Sequence, residues 1–198
     1  RHAAQHRRLI DNMESKTAYF ERPGRENTDE VLRIAGKRAK ELGIKTVLVA
    51  STRGDTAVQA VEALKGLRTV IVSHSQGFRE PNANSLTEEN RRLVESKGGI
   101  IFTGTHLFAG LSRAVRNKYN TYLIGDLTAS TLKVFGEAMK VVIEISIMAA
   151  DAGLVRTDEE VIAIGGTGRG ADTAVVLTPV NSQNFFDLRV KEILCKPR

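Results

Sequence analysis

Short apolar runs of strand length recur along this chain, each followed by a loop of glycine and hydroxyl residues and then a helix-like segment. Thr46–Ala50 reads TVLVA, Thr69–Ser73 reads TVIVS and Gly99–Thr103 reads GIIFT. Runs of this kind are apolar on both sides of a pleated strand, so both faces of the sheet they build must be covered. Between them lie Asp55–Lys65, with Ala57, Val58 and Val61 inward and Gly66 after it, and Thr87–Lys97, stopped by Gly98-Gly99. Such strands alternating with helices predict βαβ units and a mainly parallel sheet covered by helices, an α/β fold. The right-handed crossover then puts the strand-to-helix loops along one edge of that sheet.

The flanking segments read in the same terms. Lys16–Phe20 is a short β-like run broken by Pro23-Gly24. Asn27 followed by Glu30 predicts a capping box opening a helix. Val31, Ile34, Ala35 and Leu42 share one face of that helix, and Gly43 suits the position after its end. Val141–Met148 reads VVIEISIM, whose isoleucines alternate as in a strand. The wider set Leu132, Phe135, Met139, Val142, Ile145, Met148, Ala149 and Ala152 follows helical spacing, and one long helix from Thr128 to Ala152 is expected. Val161–Gly165 and Ala174–Thr178 read as strands, the second ended by Pro179, and Val190–Cys195 as a final edge strand.

Composition bounds the possibilities. Hydrophobic residues are 41% and charged residues 26% of 198, ordinary values for a globular domain with a sizeable core. With ten aromatics and no Trp, that core must be aliphatic. No apolar run has the length of a membrane span. The single Cys195 has no intrachain partner, and a cytoplasmic setting is expected. The first twelve residues, RHAAQHRRLIDN, lack apolar periodicity and are read as an extension outside the fold, leaving residues 13–198 as one domain. Three Arg and one Asp fall in that extension, so the rest carries +4 of the formal +6. The excess is spread over helices (Lys37, Arg38, Lys40, Lys45) without a basic stripe and interleaved aromatics, so neither specific nucleic-acid binding nor a membrane partner is expected.

One phrase occurs twice: TRGDTAV at residues 52–58 and GRGADTAV at residues 168–175. The first sits between a strand and a helix, where Ser51, Thr52, Gly54 and Thr56 lie at the helix head and suit a phosphate. The second, with Gly165, Gly166, Thr167, Gly168, Arg169, Gly170, Asp172 and Thr173, precedes a strand and reads as a glycine-rich anion nest. The second lacks the GK[ST] of Walker A, and the strand after it argues against a dinucleotide fingerprint. Capping alone also explains such residues at a strand-to-helix turn. Asp55 and Asp172 repel phosphate; they serve either as caps of loop amides or as acceptors for the hydroxyls of a sugar-like ligand. The loops PGRENT (with Asn27 and Thr28), STRGDT, HSQGF (His74, Gly77, Phe78), GTH (Thr105, His106) and GGTGRGADT all follow candidate strands. They should therefore meet at the carboxyl edge of the sheet, where open α/β folds bind ligands. The two RG(A)DTAV loops are expected to face each other across one ligand, one holding its phosphate and the other its polyol. Metal-ligand clusters, nucleophile–base pairs and close carboxylate pairs do not stand out, and no catalytic residue is assigned.

VLVASTRGDTAVQAV followed by LRTVIVSH resembles the allosteric C-terminal domain of pyruvate kinase. The chain from Lys16 to Arg198 is similar, more closely, to small stand-alone archaeal and bacterial proteins of that superfamily. The similarity rests on YFERPGRENT, VASTRGDTA, SHSQGF, MKVVIEISIMAADAGL, GGTGRGADTAVV and NFFDLRVKEILCKPR. It implies a three-layer α/β/α sandwich, mainly parallel, with an antiparallel edge strand. It also implies flavin mononucleotide as the ligand of the loop cluster. The phosphate would lie near Ser51, Thr52, Gly54 and Thr56 or near Gly166–Thr173, and the ring toward Gly77, Phe78 and His106. Pyruvate kinase activity is not implied, because the catalytic barrel is not in this sequence. The readings left open are a binder of a phosphorylated small molecule, a flavin-dependent oxidoreductase and a sugar-phosphate-sensing regulatory domain. The oligomeric state is also open.

Overall fold

In the central strand Val47 and Val49 face one way and Leu48 the other, and all three are inaccessible to solvent. That alternation places helices on both faces, and the computed structural model, which describes residues 14–198, shows them there. The elements in chain order are β1 (Ala18–Phe20), α1 (Thr28–Leu42), β2 (Thr46–Ala50), α2 (Asp55–Ala63), β3 (Arg68–Ser73), α3 (Glu88–Ser96) and β4 (Ile100–Thr103). There follow α4 (Gly110–Tyr119), α5 (Ile124–Lys133), α6 (Glu137–Asp151), β5 (Val161–Gly165), β6 (Thr173–Thr178) and β7 (Arg189–Pro197). Short 3₁₀ turns cover Arg25–Asn27 and Ser182–Asp187.

The seven strands form one sheet in the order β1-β7-β6-β5-β2-β3-β4. On one face Val31, Ala35, Ala57, Ala60 and Val94 of α1, α2 and α3 pack on Val47, Val49, Ile71, Ile162 and Ile164. On the other, Met139, Val142 and Ile145 of α6 pack on Leu48, Val70, Val72, Val161 and Ala163. The fold is thus an α/β/α sandwich. Cys195 belongs to the first core, where burial pushes its thiol up to about 12, so it is an unreactive packing group. Among the described residues no helix is long and apolar enough to cross a membrane.

Strands β5, β2, β3 and β4 run parallel, as expected. The strand that runs against them is not at an edge. β6 pairs antiparallel with both β5 and β7, and β1, parallel to β7, holds the border. The cause is local: only the loop from Gly166 to Asp172 joins β5 to β6, too short for a crossover, so the two must form a hairpin. β7, expected at the edge, is flanked on both sides, because β1 pairs with the side that β6 leaves free.

Two helix expectations change. The helix foreseen from Thr128 to Ala152 is two helices, α5 and α6, broken at Gly136, whose φ of 131° excludes a side chain from that turn. The VVIEISIM run is helical within α6, where burial on nearly every side explains its lack of a polar stripe. The capping box at Asn27 does not form. Asn27 already has helical backbone angles because the 3₁₀ turn runs straight into α1. Its amide donates to the Arg22 and Gly24 carbonyls, and Glu30 pairs with Arg33. α4 had no counterpart in the pattern reading. The extension read at residues 1–12 lies outside the described residues.

Candidate functional site

The carboxyl ends of β2, β3 and β5 open into a cleft of about 680 Å³. Its floor is the sheet edge (Ala50, Val72, Ser73), and its walls are the loops after β2, β3, β4 and β5 with one side of α6 from Glu137 to Met148.

The loop after β2 is clamped before it meets the cleft. Ser51 Oγ accepts from the Ala57 N–H at 3.3 Å, capping α2 from within. Gly54 has φ 102°, and a Cβ there would fall 2.4 Å from Asn90 Cβ. Asn90 also binds the Arg53 carbonyl (3.0 Å) and Asp55 Oδ1 (3.2 Å), tying the loop to α3. Asp55 and Thr56 line the cleft at the head of α2, where the first helical N–H groups have no intrahelical acceptor.

The loop between β5 and β6 is folded around a carboxylate. Asp172, fully buried, accepts from the Gly24 N–H (3.1 Å), the Thr167 N–H (3.0 Å) and the Thr173 hydroxyl (2.9 Å). Thr28 clips the same loop to α1: its hydroxyl donates to the Arg25 carbonyl (2.7 Å) and accepts from the Ala171 N–H (3.0 Å). Gly170 lies so close to Arg25 that a Cβ would fall 2.3 Å from its Cα. What this loop turns to the cleft is Gly166, Gly168, Arg169 and Gly170.

Beside the loop after β2 three rings pack together. His74 and Phe78 have centroids 4.1 Å apart, Phe78 and His106 4.9 Å, and the two imidazoles 5.1 Å. Arg113 lies over Phe78 at 4.4 Å. His74 Nε2 meets the Thr52 hydroxyl at 3.2 Å. Burial, with His106 and Arg79 nearby, pushes the His74 imidazole down to about 4, so it is neutral at neutral pH. Behind His106 stands Glu144 of α6, 3% exposed. Its Oε1 accepts from the Phe108 N–H (3.1 Å), and its Oε2 pairs with Lys140 and lies 3.6 Å from His106 Nδ1. Burial alone would raise this carboxyl, but the His106 contact and the Lys140 charge outweigh it and hold the group below the ordinary carboxylate range.

The cleft brings together Ser51, Thr52, Asp55, Thr56, His74, Phe78, His106, Gly166, Gly168, Arg169 and Gly170 of the residues expected from the sequence. The others do not line it. Asn27, Thr28, Thr167, Asp172 and Thr173 are spent on holding loops together. Gly54 and Gly165 make close approaches, to α3 and to α6 respectively. Gly77 and Thr105 lie on exposed loop surface outside the lining. The two repeated phrases do flank one cleft, but not as equivalents: Asp55 is exposed at its rim, whereas Asp172 is sealed inside its loop and is no acceptor for a ligand. Pattern reading missed Arg79, Lys140 and Glu144. For Glu144 a signal exists: it is the one charge inside the apolar stretch VVIEISIMAA. Among the described residues no group of three or more His, Cys, Asp or Glu is placed to hold a metal.

A family model described as pyruvate kinase, alpha/beta domain, matches residues 29–177. Among solved structures, a pyruvate kinase from Cryptosporidium parvum is 8% identical, with a TM-score of 0.41, covering 77% of this chain and 23% of that one. Cryptosporidium parvum pyruvate kinase in complex with ADP is 9% identical, with a TM-score of 0.37, covering 75% and 22%. The chain therefore spans less than a quarter of the length of those two proteins.

Proposed function

The chain belongs to the family of the pyruvate kinase alpha/beta domain, and from that premise we propose that its cleft binds a phosphorylated small molecule, flavin mononucleotide foremost. The observation that carries the reading is convergence. The head of α2 and the Gly166–Gly170 loop with Arg169 meet on the same cleft as the His74, Phe78 and His106 rings. Free N–H groups, a helix N-terminus and a guanidinium suit a phosphate. Ring faces suit a planar heterocycle. Arg53 and Arg79 line the same cleft and add positive charge.

The residues fit a flavin nucleotide on three counts. A volume of about 680 Å³ falls within the usual range for cofactor clefts. The phosphate-compatible loops and the aromatic rings line the same cleft and meet where the Thr52 hydroxyl lies 3.2 Å from His74 Nε2. Two buried imidazole nitrogens in its ring-lined end, His74 Nδ1 and His106 Nε2, have no hydrogen-bond partner among the described residues, which is what a ligand's polar edge would satisfy. A bound flavin would supply electron-transfer chemistry; this chain's residues hold and orient it.

Gentle purification, a visible absorption spectrum and mass spectrometry of what dissociates on denaturation test the reading. A flavin spectrum, or tight titration by added flavin mononucleotide with weaker binding of riboflavin, is the expected result. Reduction of the bound flavin by a nicotinamide cofactor would mark the protein as an oxidoreductase. A colourless protein indifferent to flavins but stabilised by sugar phosphates would replace the flavin with a sugar phosphate as the ligand.

A further inference from the structure

The buried imidazole nitrogens define the cleft's ring-lined end more sharply than its shape does. His106 Nδ1 faces the Glu144 carboxylate at 3.6 Å, which favours the ring proton on that nitrogen. The opposite nitrogen, Nε2, then presents a lone pair. It is buried, it has no partner among the described residues, and its residue lines the cleft. Glu144 is itself fixed from two sides, by the Phe108 N–H and by Lys140 one helical turn away. So the orientation of the lone pair is built in by α6 and does not depend on a flexible side chain.

The ring of Phe78 now covers both imidazoles. A benzene ring has no N–H to give, so it leaves Nε2 unsatisfied. Phe78 is only partly buried, and its loop is anchored mainly through neighbours: Gln76 to the Asn82 carbonyl, the Gly77 N–H to the Ala83 carbonyl, and Asn84 to the His74 carbonyl. A flat ligand ring can take the place of Phe78 on the imidazoles and bring what it lacks.

We propose that His106, positioned by Glu144, selects a phosphorylated heterocycle that carries a ring N–H of lactam or imide type, accepting that hydrogen at Nε2 while the heterocycle displaces Phe78. This rests on the reading of the cleft as a nucleotide-type site and names what its aromatic end recognises. His74, neutral and with its own buried Nδ1, completes the polar wall. The charged groups around the two imidazoles are Glu144 and Lys140 from α6, Arg79 from the loop after β3 and Arg113 from α4 over Phe78.

Oxidised flavin mononucleotide has a single ring N–H, so its N-methylated analogue is the matched probe. The wild-type protein is expected to bind flavin mononucleotide about three- to tenfold more tightly than the methylated analogue, the worth of one neutral hydrogen bond. In His106→Phe that preference should vanish, and in Glu144→Gln it should shrink. Equal binding of both probes by the wild type refutes the proposal while leaving the flavin reading intact. If neither probe binds, the flavin reading fails, and the proposal is decided by histidine ring NMR of the ligand-free chain. Long-range proton–nitrogen correlations should show His106 as the Nδ1–H tautomer, mixed with the other in Glu144→Gln. An Nε2–H tautomer in the wild type overturns it.

Discussion

Replacing Asp172 by alanine should destabilise the protein without removing a ligand contact. The carboxylate is 0% exposed and accepts from three donors: the Gly24 N–H, the Thr167 N–H and the Thr173 hydroxyl. Hydrogen bonds to a charged group contribute about 1.5–3 kcal/mol each, so three set a ceiling of about 4.5–9 kcal/mol. Two things lower it. Gly24 and Thr167 are partly exposed and regain water, and removing the carboxylate also removes its own desolvation. The expected loss is about 3–4 kcal/mol, with a fall in melting temperature of about 6–16 °C for a chain of this size. Urea unfolding followed by far-UV circular dichroism measures the first and a thermal scan the second. Thr173→Val, which removes one donor and keeps the shape, should lose less, about 1.5–2 kcal/mol, the low end for one bond to a charged group. A loss under 1 kcal/mol for Asp172→Ala would refute the account. If that variant were stable but bound flavin mononucleotide poorly, Asp172 would be a ligand group, the other of the two roles its sequence context leaves open.

Stability should also depend on pH through His74, whose imidazole titrates near 4 in the folded chain against an ordinary 6.5. Below about 6.5 the unfolded chain takes up a proton that the native state refuses, so stability is full above that pH and declines down to about 4. Glu144, held below its ordinary range, adds a loss of the same sign as its carboxylate is protonated; His74→Phe should flatten the slope between 4 and 6.5 and leave the lower limb in denaturant titrations. Gly54→Ala should lose about 2–3 kcal/mol in the same assay, because φ 102° is strained for alanine and Asn90 Cβ stands 2.4 Å from the new methyl. Arg169→Ala should weaken flavin mononucleotide about three- to tenfold more than riboflavin by fluorescence titration, since its exposed guanidinium is worth about 1 kcal/mol to a phosphate. Equal weakening of both ligands would move the phosphate away from that loop.

The sequence determined the layers of this protein by itself. Strand identity for β2, β3, β4, β5 and β6 followed from short apolar runs, and α1, α2 and α3 from helical periodicity, because both signals are carried by neighbours a few residues apart. Even the repeated phrase was legible in its context. In the first copy DTAV opens α2, and in the second TAV belongs to β6, as the amphipathic QAVEAL and the apolar VLTP that follow dictate. The tertiary structure decided what depends on partners far along the chain. Whether Asp172 faces a ligand or seals a loop is settled by Gly24, 148 residues away. Glu144 joins the site only because α6 crosses behind the loop after β4 and meets His106 and Phe108. The internal position of β6 follows from the hairpin that Gly166–Asp172 forces and from β1 and β7 closing beyond it. Backbone periodicity is a property of the local chain. Which polar atom is satisfied from within and which is left facing a cleft is a property of packing, and no window along the sequence contains it.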